Sequence, residues 1–100
     1  MAEYGEHWSD TELSICVEVY AQAVAAGGTK KRISRDIYES RAFKKLNGRV
    51  MGAVTRRMCN ISAMLEKSGE DWVQIWKPMR NVGTGVEPRL LAILQQQNLL

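Results

Sequence analysis

Apolar residues in the first third of the chain recur at helical spacing. Leu13, Val17, Tyr20 and Val24 fall on one face, with Cys16 and Ala21 beside it, which is the period of an amphipathic helix. Ser9 or Asp10 offers a side-chain oxygen to the free amides of its first turn, where Glu12 also lies. Gly27-Gly28 ends this helix, because glycine accepts the left-handed backbone that closes one. A basic turn follows, and Ser34 is placed to cap a second helix over about 35–46, with Ile37, Phe43 and Leu46 expected inward. Asn47-Gly48 is a stop and turn signal. The third helix is predicted from about Val50 to Lys67, ending at Ser68-Gly69. Its residues Val54, Met58, Ile61 and Leu65 make one buried stripe.

The pattern then changes. Trp72, Val73, Ile75 and Trp76 precede Lys77-Pro78 and a glycine-bearing stretch to Gly85. This predicts an irregular segment, with room for a short strand, folded back over the helices. Anchoring in the core is the expected use of Trp72 and Trp76, ahead of stacking on a displaced base. Glu87-Pro88 opens a last helix, since proline is tolerated in a first turn. Leu90, Leu91, Ile93, Leu94, Leu99 and Leu100 make it apolar enough to dock on this domain, on a second copy or on a segment outside this sequence. Met51, Met58 and Met64 read as core filler. The order predicts one all-α domain: an arm over 1–8, a trihelical helix-turn-helix core over 9–69, a Trp-rich fold-back segment over 70–86, and a C-terminal helix over 87–100.

Totals sharpen this picture. A chain of 100 residues with 45% hydrophobic side chains sustains a core of its own. No run approaches the ~18 apolar residues of a membrane span, and the acidic start is unlike a signal peptide, so a cytoplasmic protein is expected. Cys16 and Cys59 sit in apolar helical patterns and read as free buried thiols.

The net charge of +3 is unevenly spread. Residues 1–27 carry Glu3, Glu6, Asp10, Glu12 and Glu18 and no Lys or Arg. Residues 28–57 carry Lys30, Lys31, Arg32, Arg35, Arg41, Lys44, Lys45, Arg49, Arg56 and Arg57 against Asp36 and Glu39 alone. A basic excess confined to one third of a chain is the electrostatic footprint expected of a phosphate-binding protein.

Catalysis fits poorly. The one histidine, His7, falls in the arm, so no His-containing metal site or triad assembles. The cysteines lack the paired spacing of a zinc site, and no glycine-rich phosphate loop follows a strand. No enzyme activity, cofactor or metal is expected. The third helix is more informative. Opposite its buried stripe lie Arg49, Gly52, Thr55, Arg56, Cys59, Asn60 and Ala63. Arg and Asn pair in bidentate fashion with guanine and adenine edges in the major groove. Arg49, Thr55, Arg56 and Asn60 are therefore the expected base contacts. Lys30, Lys31, Arg32, Lys44, Lys45, Arg57 and Lys77 are the expected phosphate contacts, which give affinity and register.

Two resemblances rest on these residues. Trp8-Ser9-Asp10-Thr11-Glu12-Leu13, with Arg49-Val50-Met51-Gly52-Ala53-Val54-Thr55-Arg56-Arg57 after an Asn-Gly turn, resembles the ends of a Myb/SANT-like, homeodomain-like three-helix unit. Over about residues 8–84 a longer series is similar to N-terminal domains of bacterial HNH-type restriction endonucleases and related proteins. It comprises Trp8…Glu12-Leu13…Tyr20, Arg49…Gly52-Ala53-Val54, Asn60-Ile61-Ser62-Ala63-Met64-Leu65, Gly69, and Lys77-Pro78…Asn81-Val82-Gly83. That resemblance implies a DNA-targeting domain whose partner domain cuts, in defence against foreign or modified DNA. The sequence departs from that setting in having no His-Asn-His segment, which fits an excised domain or a free-standing protein that binds without cutting.

The expected function is duplex DNA binding, with double-stranded DNA as partner and a nuclease domain or parent chain as a further one. The alternative is a protein–protein assembly module built on the acidic first helix and the leucine-rich last helix, with homodimerisation through the latter.

Overall fold

A computed structural model of the chain describes residues 8–100. His7 and the rest of the arm, Trp8 excepted, lie outside the described residues. Four helices follow in order: α1 (Asp10–Ala25), α2 (Arg35–Lys45), α3 (Met51–Lys67) and α4 (Glu87–Gln96). No strand occurs among the described residues, so the stretch from Glu70 to Val86 crosses the helices as turns and irregular backbone.

Helix α1 begins with a reciprocal cap. The Ser9 hydroxyl accepts from the Glu12 amide at 3.0 Å, and the Ser9 amide donates to the Glu12 carboxylate at 2.9 Å. It ends at Gly27, whose φ of +87° lets its amide reach the Val24 carbonyl while Gly28 bonds that of Ala23. Gly28 is required for a second reason. A Cβ there would stand 2.8 Å from Ile33 Cδ1 and 2.9 Å from the Ala23 carbonyl oxygen. The close approach lets the fold-back segment bond to α1's end, with the Gln74 amide donating to the Gly28 carbonyl at 2.9 Å.

Helix α1 packs against each of the other three helices, and α3 packs against both α1 and α2. The α3 stripe of Val54, Met58, Ile61 and Leu65 is buried as expected. The burial extends further, because Cys59, Asn60, Ser62, Ala63 and Met64 are also enclosed. The covering comes from the fold-back segment. Trp76 is fully buried with its ring centroid 5.4 Å from that of Tyr20. The Tyr20 hydroxyl accepts from the Val73 amide at 2.8 Å and shares a 2.7 Å hydrogen bond with Ser62. Three separate elements thus meet at one phenol, and burial pushes that phenol's pKa up to about 12.

Helix α2 corrects the expected orientation. Ile37 is 53% exposed and Phe43 39%, whereas Glu39, only 3% exposed, and Ala42 face the core. Leu46 alone of the three expected residues is buried. The reason is hydrogen bonding. A buried indole N–H needs an acceptor, and Glu39 accepts from Trp76 Nε1 at 2.9 Å and from the Thr55 hydroxyl at 2.8 Å. Arg35 adds a guanidinium 3.6 Å away, one turn earlier on the same helix. Ser34 makes no side-chain cap to α2.

Helix α4 lies on α1 of its own chain, with Leu90, Ile93 and Leu94 buried and Leu91 exposed. Of the docking partners open to it, its own domain takes this apolar side. Arg89 bonds the Asp10 carboxylate at 2.8 Å and also the Trp8 carbonyl, fastening the last helix to the start of the first.

The Glu39 carboxylate sets the first expected outcome. Glu39→Ala strands the Trp76 and Thr55 donors and should lower the unfolding free energy by about 3 kcal/mol, read from urea melts. Glu39→Gln, whose oxygen keeps one donor, should lose less than half of that. A Glu39→Ala variant as stable as the parent would show that the contact does not hold α2 in place.

Candidate nucleic-acid interface

The residues expected to read bases do not share an exposed face. Arg49 precedes α3 and is held by Glu12, with Nε 3.0 Å and Nη2 2.9 Å from its two oxygens, while its guanidinium lies over the Trp8 ring. The Thr55 hydroxyl donates to Glu39. Asn60 is 2% exposed. Its amide nitrogen donates to the Met79 carbonyl at 2.7 Å, and its oxygen accepts from Arg57 Nη1 at 3.1 Å. Arg56 alone of the four is exposed. The face expected to be outermost on α3 is covered along most of its length, by Glu39 of α2 at Thr55 and by the fold-back segment at Asn60. The Met79 amide donates to the Cys59 carbonyl at 3.1 Å, so the fold-back segment lies along the helix where a DNA groove was expected.

The expected phosphate contacts fare differently. Lys30, Lys31, Arg32, Lys44, Lys45 and Lys77 are all exposed. Arg57 is the exception, being 8% exposed with its guanidinium over Trp8. Its place on the flank of α3 turns inward once α4 and the Val82–Val86 turn close over it. Lys30, Lys31, Arg32, Lys44 and Lys77 have no ion-pair partner among the described residues. Lys45 stands 3.6 Å from Glu18, with both side chains more than half exposed, so solvent screens most of that attraction.

Between the turn after α1, the start of α2 and the fold-back segment runs an open groove of about 640 Å³. Arg32, Arg35 and Lys77 line it, with Asp36 the acidic group on its wall and Gln74 and Ile75 opposite. Arg35 belongs to the same cationic run in sequence, but only the fold joins it to Lys77. The outward side of α2 is a separate exposed strip, turned away from Arg35. Ile37, Arg41 and Lys44 fall within a ~60° sector of that helix, and all are exposed.

The thiols offer little chemistry. Burial pushes Cys16 up to about 12, and Cys59 is raised for the same reason, so neither is a ready nucleophile. Among the described residues, no group of three or more His, Cys, Asp or Glu side chains is arranged to hold a metal ion, and no helix is long and apolar enough to cross a membrane. Comparison with protein-family models, with curated proteins and with solved structures finds no match to this chain.

The Arg49–Glu12 pair carries a pH consequence. The hydrogen bond from Arg49 is the main reason that the Glu12 carboxyl is held below its usual 4.5. Its stabilisation is therefore complete above that value and fades as pH falls through the lowered folded value. Glu12→Gln should melt at a lower temperature than the parent at about pH 7, and the gap should narrow by about pH 3. A gap that stays constant across this range would show that Glu12 ionisation is not linked to folding.

Proposed function

We propose that the protein binds duplex nucleic acid, DNA first, through the exposed cations of residues 30–45 together with Lys77. One observation carries this reading: Arg32, Arg35 and Lys77 are brought by the fold to a single groove, and Lys30, Lys31 and Lys44 are exposed on the turn and helix that adjoin it in sequence. Helix α2 has 11 residues, so it is about 16 Å long, a length over which a duplex presents on the order of ten phosphates. The amides of its first turn lack a cap from Ser34 and add positive potential at the groove's edge.

Helix α2 and the preceding turn, rather than α3, form the docking face in this reading. Lysine and arginine contacts to phosphate give affinity without sequence choice, and of the base-reading set expected on α3, Arg49, Thr55 and Asn60 are engaged within the protein. Binding is accordingly governed mainly by charge. The resemblance to restriction-type targeting domains suits a unit that delivers a separate catalytic domain to DNA in a bacterial defence setting, and the chain itself performs no reaction in this reading. The assembly alternative loses its main support, since α4's apolar side and the Asp10 and Glu12 carboxylates of α1 are occupied within the chain.

Fluorescence anisotropy with a random-sequence duplex tests the reading. Affinity should fall steeply with salt, and Lys30→Glu/Lys31→Glu should weaken binding by at least about tenfold and flatten the salt slope by about two phosphate contacts. Arg56→Gln should keep affinity within about threefold, because it lies off this face. Absence of binding at low salt would overturn the proposal, and an Arg56→Gln loss exceeding that of the lysine pair would return the docking face to α3.

A further inference from the structure

A second concave site lies apart from the groove and shares no lining residue with it. It is a cavity of about 480 Å³ walled by Trp8, Arg56, Arg57, Arg89 and the Gly83-Thr84-Gly85 turn. Arg56 and Arg57 close the cationic run, whereas the turn and Arg89 are far from it in sequence and only the fold brings them together.

The charges around it do not balance. Arg49 is matched by Glu12, and Arg89 by Asp10. Arg57 is more than nine-tenths buried, and Asn60 is a neutral partner for its Nη1. Its Nε is the one buried side-chain nitrogen or oxygen among the described residues without a hydrogen-bond acceptor. Arg56 is exposed and has no ion-pair partner among the described residues. Among the described residues, two guanidinium charges are thus uncompensated at one cavity, and one of them is taken out of water. Removing a cation from water is expensive unless an anion answers it. Desolvation, followed by repulsion from Arg49, Arg56 and Arg89, pulls the Arg57 pKa below its usual value.

The remaining features suit a ligand. The indole of Trp8, 3% exposed, fixes Arg57 from one side, with its ring centroid 4.6 Å from the guanidinium carbon. Gly85 has open space around a would-be Cβ and does not adopt the left-handed backbone, so neither crowding nor conformation calls for glycine there. Its missing side chain leaves the rim of the cavity open beside Thr84, whose hydroxyl type is a further donor.

We infer that this cavity is an oxyanion site that takes a phosphate group, free or as a phosphate monoester, between Arg56, Arg57 and Arg89. A phosphate monoester carries a charge of about −1.5 to −2 at neutral pH, which matches the two uncompensated guanidiniums, and planar guanidinium forks are suited to its oxygens. A carboxylate answers only one of them. The inference stands independently of the duplex-binding surface.

The test uses the full ¹⁵N-labelled chain titrated with inorganic phosphate, thymidine monophosphate, acetate and chloride at matched ionic strength, following backbone amides and arginine Nε–Hε signals by NMR. Phosphate and the monoester should shift Gly83, Thr84, Gly85 and the Arg57 Nε–Hε saturably, with acetate and chloride giving no saturation. A tighter response to the monoester than to inorganic phosphate identifies the ester as the preferred form, and the reverse identifies the free ion. Arg57→Gln removes a buried group and can unfold the chain, so the deciding variant is the exposed Arg56→Gln. It should weaken phosphate binding by about tenfold or more, the worth of one charge-assisted contact, while keeping the dispersed spectrum of the parent. Linear shifts without saturation, shifts confined to residues 30–45, an acetate response equal to phosphate, or an unchanged affinity in Arg56→Gln would each overturn the inference. The lysine-pair duplex experiment is unaffected by any of these results.

Discussion

The buried carboxylate of Glu39 is the constraint from which the rest of the arrangement follows. It sits on the most polar of the four helices, receives hydrogen bonds from α3 and from the fold-back segment, and is enclosed by both. An isolated carboxylate in that position is prohibitively expensive, whereas one answered by an indole N–H, a hydroxyl and a nearby guanidinium is not. Satisfying it requires Trp76 to lie inside, which draws the chain from Val73 to Met79 across α3. That crossing brings the Met79 carbonyl to Asn60 and closes the C-terminal half of the helix. The same choice rotates α2 so that Ile37, Arg41 and Lys44 face solvent.

What the sequence made legible was local. The capping box at Ser9, the glycine stop of α1, the stripe from Val54 to Leu65 and the proline-led start of α4 each depend on residues within about three turns of one another, so periodicity and capping chemistry find them. The orientation of α2 was not legible in this way. Its inward face is chosen by a donor on Trp76, 37 residues further on, and an apolar-in rule then selects Ile37 and Phe43 wrongly. The base-reading set on α3 failed for a related reason. The wheel separates one stripe from its opposite, but what covers that opposite side, Glu39 of α2 and the fold-back segment, lies outside the helix, and only Asn60, an amide amid apolar neighbours, hinted that a backbone carbonyl would come to meet it.

The arginines and lysines divide accordingly. Lysines of the first half remain in solvent, as their strongly hydrated ammonium groups favour. Arg49, Arg57 and Arg89 instead gather around Trp8 and tie α3 and α4 to the beginning of α1. A count of positive charges along the chain merges these two populations, although one is a surface and the other is part of the framework. The indole of Trp8 makes the second possible, because guanidinium planes lie against an aromatic face where an ammonium would demand water.

The fastening of Arg89 to Trp8 and Asp10 joins residues about eighty positions apart. Closing a loop of that length is entropically slow compared with forming the α1–α2 or α2–α3 neighbours. In emergence from a ribosome, the first three helices leave ahead of α4, and the side of α1 that α4 covers remains wet until it arrives. The domain thus completes itself only at its last helix, and a chain stalled short of Leu90 exposes an apolar seam that quality-control proteins are built to recognise.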